Sequence, residues 1–340
     1  MRTEIPCFRG KNRTSQSVVS FDSLESRTML SAASWTSEIA SVESQITLPI
    51  STNVVHIGSS RSVKSLNSAK WPDKGQSVTF SLDPGTYSMS ARFVYGNVSI
   101  VAADPAHPPT LSLPAVYKRK SAAKYIGGNG TLYVLGSLNV RNVKTTGGED
   151  ALFLGTSSSG KVDAENVNMT DGGAIFRGSG GSSVLLKNIQ SHGIPRANFI
   201  SNYDHNIGTV VVDNRGTSTP IQQGGHIVGG QPIGETAIRV MDVNSLYLVG
   251  VTTKPWFYKP GREWKQDVQL RPSSNIIKVI DCNFYQPDVG DMAWRLPAKP
   301  INEVDFIDSH LTKGPNITNG VKVIKFSNTR IGGSTWTKTV

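Results

Sequence analysis

Leu138–Gly148 reads LNVRNVKTTGG, and Val162–Gly173, one repeat later, reads VDAENVNMTDGG. Each is an apolar run that meets an asparagine and then opens into a turn rich in Gly and Thr. The pattern returns in VLLKNIQSHG (184–193), VVVDNRGTS (210–218), LYLVGVTT (246–253), IKVIDCNFYQP (277–287), VDFIDSHLTKG (304–314) and VIKFSNTRIGG (323–333). The bend residues are Asn142, Asn166, Asn188, Asn214, Gly250, Asp281, Asp308 and Ser327, at intervals of 24, 22, 26, 36, 31, 27 and 19. Asn, Asp and Gly best tolerate a left-handed backbone, so one kind of bend is predicted wherever such a strand ends.

A second short strand precedes each bend, in ALFLG, GAIFRG, ANFIS, TAIRVMD, DVQLRP and MAWRLP. No convincing 3.6-residue periodicity accompanies them, and the leucine-rich-repeat signature is absent. The spacing therefore predicts an all-β fold, a parallel β-helix of roughly ten coils, about 45–55 Å long at ordinary strand spacing. Its hand is expected to be right, by the crossover rule. Residues 46–340 are assigned to this domain and residues 1–45 to an export leader or disordered segment.

Two resemblances support this division. VTFSLDPGTYSMS (78–90) and VSIVAADPAHPPTLSL (98–113) are similar to the first coils of right-handed β-helix proteins of the pectate-lyase-like superfamily. That resemblance implies a fold shared by polysaccharide lyases, glycosidases, tailspikes and plain surface proteins, and a shared fold does not imply a shared function. FDSLESRTMLSA (21–32) resembles the Leu-Glu-x-Arg-x-Leu-Leu segment near the start of many exported planctomycete proteins, with Met29 at a usual leucine position. It implies export to an extracellular or cell-surface location. The ordinary secretory h-region is missing, and a short amphipathic or disordered amino terminus is the alternative.

Lys and Arg total 35 against 25 Asp and Glu, a net charge of +10, which points to an anionic partner. Charged residues are only 18%, and the 33 Gly and 18 Pro favour short elements joined by turns. Cys7 and Cys282 are the only cysteines, so there is no disulfide framework. No apolar run approaches the length of a transmembrane segment. The basic run YKRKSAAK (117–124) has no nucleic-acid-reading module around it and reads as a solvated face, so no nucleic-acid partner is expected.

The chemistry concentrates in the 31-residue interval, where KPWFYKPGREWKQDVQLRP (254–272) holds four aromatics and five cations. Inserts in a solenoid form its binding wall. Pro255, Pro260 and Gly261 predict an irregular loop here. Trp256, Tyr258 and Trp264 are candidates for stacking on sugar rings, and Arg262 and Lys265 for meeting carboxylates or sulfates. The alternative is that the rings fold back to cap the rod while the cations reach outward. Arg239, Arg271 and Arg295 occupy matching places in AIRV, QLRP and AWRL, predicting an arginine ladder. Either Asp242, Asp267, Asp288 and Asp291 or a bound polyanion must neutralise it.

An acidic polysaccharide or another cell-envelope component is therefore the expected partner, bound without catalysis. The alternative is a polysaccharide lyase acting by β-elimination, with an arginine neutralising the uronate and Lys254 or Lys265 as base. Arg271, as one of the arginines that could neutralise the uronate, and His205, whose imidazole beside Asp204 suits a general base, complete the catalytic candidates. Asp204-His205 and RLPAKP (295–300) each resemble half of a pectate-lyase motif, with Pro300 in place of the final Arg. His192 and His226 fall on neighbouring coils but at different points of them. Asp288 and Asp291 are the only candidates for holding calcium in such a lyase, and no other cofactor is expected. Polygalacturonase-type hydrolysis is excluded by the absence of an adjacent Asp pair. Phosphate-loop, dinucleotide-binding and zinc patterns are also missing.

Overall fold

A computed structural model of the 340-residue chain describes residues 32–90, 92–113, 130–147, 151–155, 160–170, 176–178, 183–192, 200–202, 207–222, 225–228, 231–234, 237–240, 243–255, 257–259, 262–263, 267–271, 274–290, 299–318 and 320–339. They form a parallel β-helix. Its long sheet has eleven rungs on its first leg, from Val54–Ile57 to Val321–Ile331, each paired in parallel with the next. A second leg continues this sheet around the corner through short segments such as Gln190–His192 and His310–Leu311. The third wall, the side sheet, stacks nine parallel strands from Arg92–Val94 to Asn316–Ile317.

The bends are as predicted in kind. Asn142, Asn166, Asn188, Asp281 and Asp308 have φ between 49° and 55°, and Gly250 has φ 62°. At Gly250 a β-carbon would also meet the Arg215 backbone nitrogen at 2.8 Å, so both conformation and space select glycine. Asn188, Gly250, Asp281 and Asp308 follow directly on strands that end at Lys187, Val249, Ile280 and Ile307, as expected, whereas Asn142 and Asn166 lie inside strands that continue past the bend. In Ser137–Gly147, Asn142 turns the chain and the strand resumes on the second leg. The amides also form a ladder: Asn166 Nδ2 donates to Asn142 Oδ1 at 2.9 Å, and Asn188 Nδ2 to Asn166 Oδ1 at 3.1 Å. Two positions differ from the expectation. The last bend is at Asn328, φ 48°, one residue after Ser327. Asn214 is not in the left-handed region; its buried amide instead bridges the Ile189 backbone, accepting from N at 2.9 Å and donating to O at 3.0 Å.

The core is a set of columns running down the rod. One passes through Phe80, Ile100, Val140, Ala164, Leu186 and Val212 and on to Phe306 and Phe326, all fully or almost fully buried. Aromatic rings close it at both ends: Trp71 lies 5.0 Å from Phe80, and Trp336 meets Phe326 edge-on at 5.8 Å.

Residues Ala32–Ile46, within and just beyond the segment assigned to the leader, form a helix. Trp35, Ile39, Val42 and Ile46 recur at helical spacing and pack onto Leu185, Val211, Tyr247, Val249, Ile280 and Ile307 on the outside of the long sheet. These rungs are therefore buried on both faces, which is why VVV (210–212) and LYLV (246–249) read as unbroken apolar runs. Ion pairs pin the helix along the rod, Glu38 to Lys278 at 2.7 Å and Glu43 to Lys187 at 3.0 Å. Beyond it, Leu48 N donates to Asp163 at 2.8 Å.

Candidate functional site

The two longest intervals each contain a β-hairpin. Gly225–Val228 pairs antiparallel with Gln231–Gly234, and Phe257–Lys259 with Arg262–Glu263. The second replaces the irregular loop expected from Pro255, Pro260 and Gly261, since the prolines flank the paired residues instead of interrupting them. Each hairpin leaves from a second-leg strand, Ile221–Gln222 or Thr253–Lys254, and these two strands pair with each other. Each re-enters at a side-sheet strand, Ile238–Val240 or Val268–Leu270, and these also pair. The hairpins thus emerge at one corner of the rod, on adjacent coils.

Asp267 anchors the second hairpin where it rejoins the wall. It is fully buried and accepts from the Thr253 hydroxyl, from Tyr285 N at 2.6 Å and from Gln286 N at 2.9 Å. Its backbone oxygen accepts from Ala237 N at 2.8 Å, tying it to the coil before. Burial pushes its carboxyl above the ordinary value, against the pull of those three donors. Asp267 is therefore committed to the scaffold and does not neutralise an arginine.

The arginine ladder takes a different register from the expected one. Arg239 stands opposite Gln269, to which its Nε donates at 2.6 Å, and Arg271 falls beyond the strand that pairs there. The residues that share Arg239's position on successive rungs are Arg177 and Ser201 on one side and Gln269, Asp288 and Asn316 on the other. Arg177, two rungs or about 10 Å from Arg239, was not singled out from the sequence. Aligning IFR (175–177) with AIR (237–239) on their apolar flanks brings it out. Ile238 and Val240 point into the core, so the Arg239 position faces outward, and the Arg239 side chain is half-buried.

Arg271 is placed inside the wall. It is 2% exposed, its Nη2 meets Asp288 Oδ2 at 2.6 Å and its Nη1 donates to Gly290 O at 3.0 Å. Asp288 also accepts from Asn316 Nδ2 at 3.0 Å. A ligand would reach Arg271 only by displacing this buried carboxylate, and a cation would reach Asp288 only by displacing Arg271. Among the described residues no group of three or more His, Cys, Asp and Glu is arranged to hold a metal ion.

Lys254 is exposed at the foot of the second hairpin. Tyr258 and Arg262 lie on the hairpin's two strands. His192 ends the strand Gln190–His192 on the second leg, whereas His226 lies in the first hairpin, outside the stacked sheets. Trp256, Trp264, Lys265, Arg295, Asp204, His205, Asp242 and Asp291 lie outside the described residues. Among the described residues no helix is long and apolar enough to cross a membrane.

No protein-family model matches the chain, and no curated protein sequence matches it. Among solved structures it is similar to the pectin methylesterase from Aspergillus niger in deglycosylated form. The identity is 11%, with 86% of this chain and 93% of that chain covered and a TM-score of 0.37. The penultimately deglycosylated form of the same enzyme gives 11% identity, 85% and 88% coverage and a TM-score of 0.37. The two chains differ too far in sequence and path for a residue of one to stand for a residue of the other.

Proposed function

We propose that this β-helix is an exported, surface-located protein that binds an acidic polysaccharide at the corner where its two hairpins meet the side sheet. The observation that carries the reading is that the second hairpin, in the aromatic and basic segment 254–265, rejoins the side sheet at the strand paired with that of Arg239, whose rung position faces outward. Cations there meet carboxylates, and Trp256, Tyr258 and Trp264 stack on sugar rings. Arg262, Lys265 and Arg295 are the further cations this reading assigns to binding. Arg271 holds the wall in shape behind Arg239. The net charge of +10 draws a polyanion toward the whole rod.

Retention on immobilised polygalacturonate, alginate or heparin tests the proposal. The protein is expected to elute early as salt rises, because the contacts are ionic, and the double variant Trp256→Ala, Arg239→Ala is expected to elute earlier still. Unchanged retention of that variant defeats the proposal. Exposed Lys254 at the hairpin foot favours one second reading, β-elimination with this lysine as base. Ultraviolet-absorbing unsaturated uronate products would establish that reading, and their absence on all three polymers would leave binding alone.

A further inference from the structure

The outward column that contains Arg239 and Arg177 continues along the side sheet. Past Arg177 its register runs through Leu154 and Tyr133 to Phe93. The inner neighbours Val94, Leu132 and Val134 are buried in the core, so Phe93 and Tyr133 face outward with the arginine positions. The Phe93 and Tyr133 ring centroids are 5.0 Å apart, and Tyr95 lies 5.8 Å from Phe93. Tyr133 is buried at the base of this stack, Phe93 is half-buried, and Tyr95 at the top is 53% exposed. At the edge of the same strand, the Arg92 guanidinium lies over Trp71 at 4.5 Å, which braces the platform from the rod's end. From the Phe93 rung to the Arg239 rung there are five strand spacings, about 24 Å.

We infer that the side sheet is a lane for an extended polyuronate chain, anchored by its carboxylates at the hairpin corner and resting a distant sugar ring on Tyr95 and Phe93. This rests on the acidic-polysaccharide reading and adds to it a second contact point, and with it a preference for long chains. The apolar face of a pyranose ring suits an open aromatic ring, and the Arg239 guanidinium suits a carboxylate of the same chain. A short oligomer can occupy only the corner; a long one reaches both points and gains from the second as an intramolecular contact.

Calorimetric titration of the full chain with polygalacturonate and with trigalacturonate is the test. The long chain is expected to bind more tightly per chain end than the trimer. Tyr95→Ala is expected to weaken the long chain about five- to tenfold and leave the trimer unchanged. Tyr95→Phe keeps the ring and is expected to keep the affinity. Arg239→Ala is expected to weaken both ligands. If Tyr95→Ala leaves the long chain unaffected while Arg239→Ala weakens it, the aromatic contact is overturned and the binding corner stands. If neither ligand binds the unaltered protein, both fall.

Discussion

The first leg of the long sheet and the side sheet are built from the same parallel rungs, yet their outer faces are finished in opposite ways. The long sheet carries apolar residues outward in its middle rungs, and the helix Ala32–Ile46 lies on them. The side sheet places Phe93, Tyr133, Arg239, Gln269 and Asp288 at outward positions, and two hairpins from the second leg rejoin the rod at its strands. The long sheet's outer face is a solved packing problem; on the side sheet, Asp288, Gln269 and Tyr133 are buried in polar and ring contacts, while Arg239 and Phe93 stay half-buried with no helix over them among the described residues. Function in a solenoid belongs on the face whose outward residues are not spent on packing.

The largest test of this contrast strikes the side sheet from inside. Arg271→Ala leaves the Asp288 carboxylate buried without its cation, and a loss of about 3–5 kcal/mol is expected in denaturant unfolding. If Arg271 were a ligand contact and not part of the wall, stability would hold and only glycan retention would drop. Ile39→Ala attacks the other face. Ile39 is fully buried under the helix, and the substitution is expected to cost about 2–5 kcal/mol while leaving retention of the folded fraction unchanged. A retention loss equal to that of Arg239→Ala would show that the two faces are not separable.

Asn166→Ala is expected to cost about 1–2 kcal/mol, because alanine is poorly suited to φ 53° and the ladder loses a link. Thermal unfolding should show Asn166→Gly losing less. The smallest effect is one of pH. Asp305 stands between Lys278 and Lys325 on the long sheet, and burial followed by the nearby Glu303 carboxylate pushes it up to about 6. A raised folded value means that its stabilising contribution is complete below the unfolded value near 3.8 and is lost as pH rises through about 6. Asp305→Asn is therefore expected to gain about 1–2 kcal/mol on the unaltered protein above pH 6 and to lose that advantage in acid, read as melting temperature against pH.

The rod was legible in the sequence because its bends need unusual backbone, and few residues supply it. Asn142, Asn166, Asn188, Asp281 and Asp308 mark that need directly. Asn214 looks identical in sequence but does a different task, bridging a neighbouring backbone. The arginine ladder failed for a different reason. Arg239 and Arg271 were aligned on their charge, whereas rung register follows the apolar residues that enter the core, and on those Arg239 matches Gln269. The helix was legible only as the amphipathic alternative to a leader, because Trp35, Ile39, Val42 and Ile46, although correctly spaced, carry a weak signal in a polar stretch until their cover is known. Asp288 was legible as one of four carboxylates that could neutralise the arginines, but which of them meets Arg271 depends on coil stacking.

The ladder has a direction as well as a spacing. Asn166 donates to Asn142, Asn188 to Asn166 and Asn328 to Asp308, so at each step the later residue gives the proton and the earlier one receives it. At these three links the later coil thus meets an acceptor on the coil before it. Growth can proceed by templating, with each finished layer serving as the mould for the next.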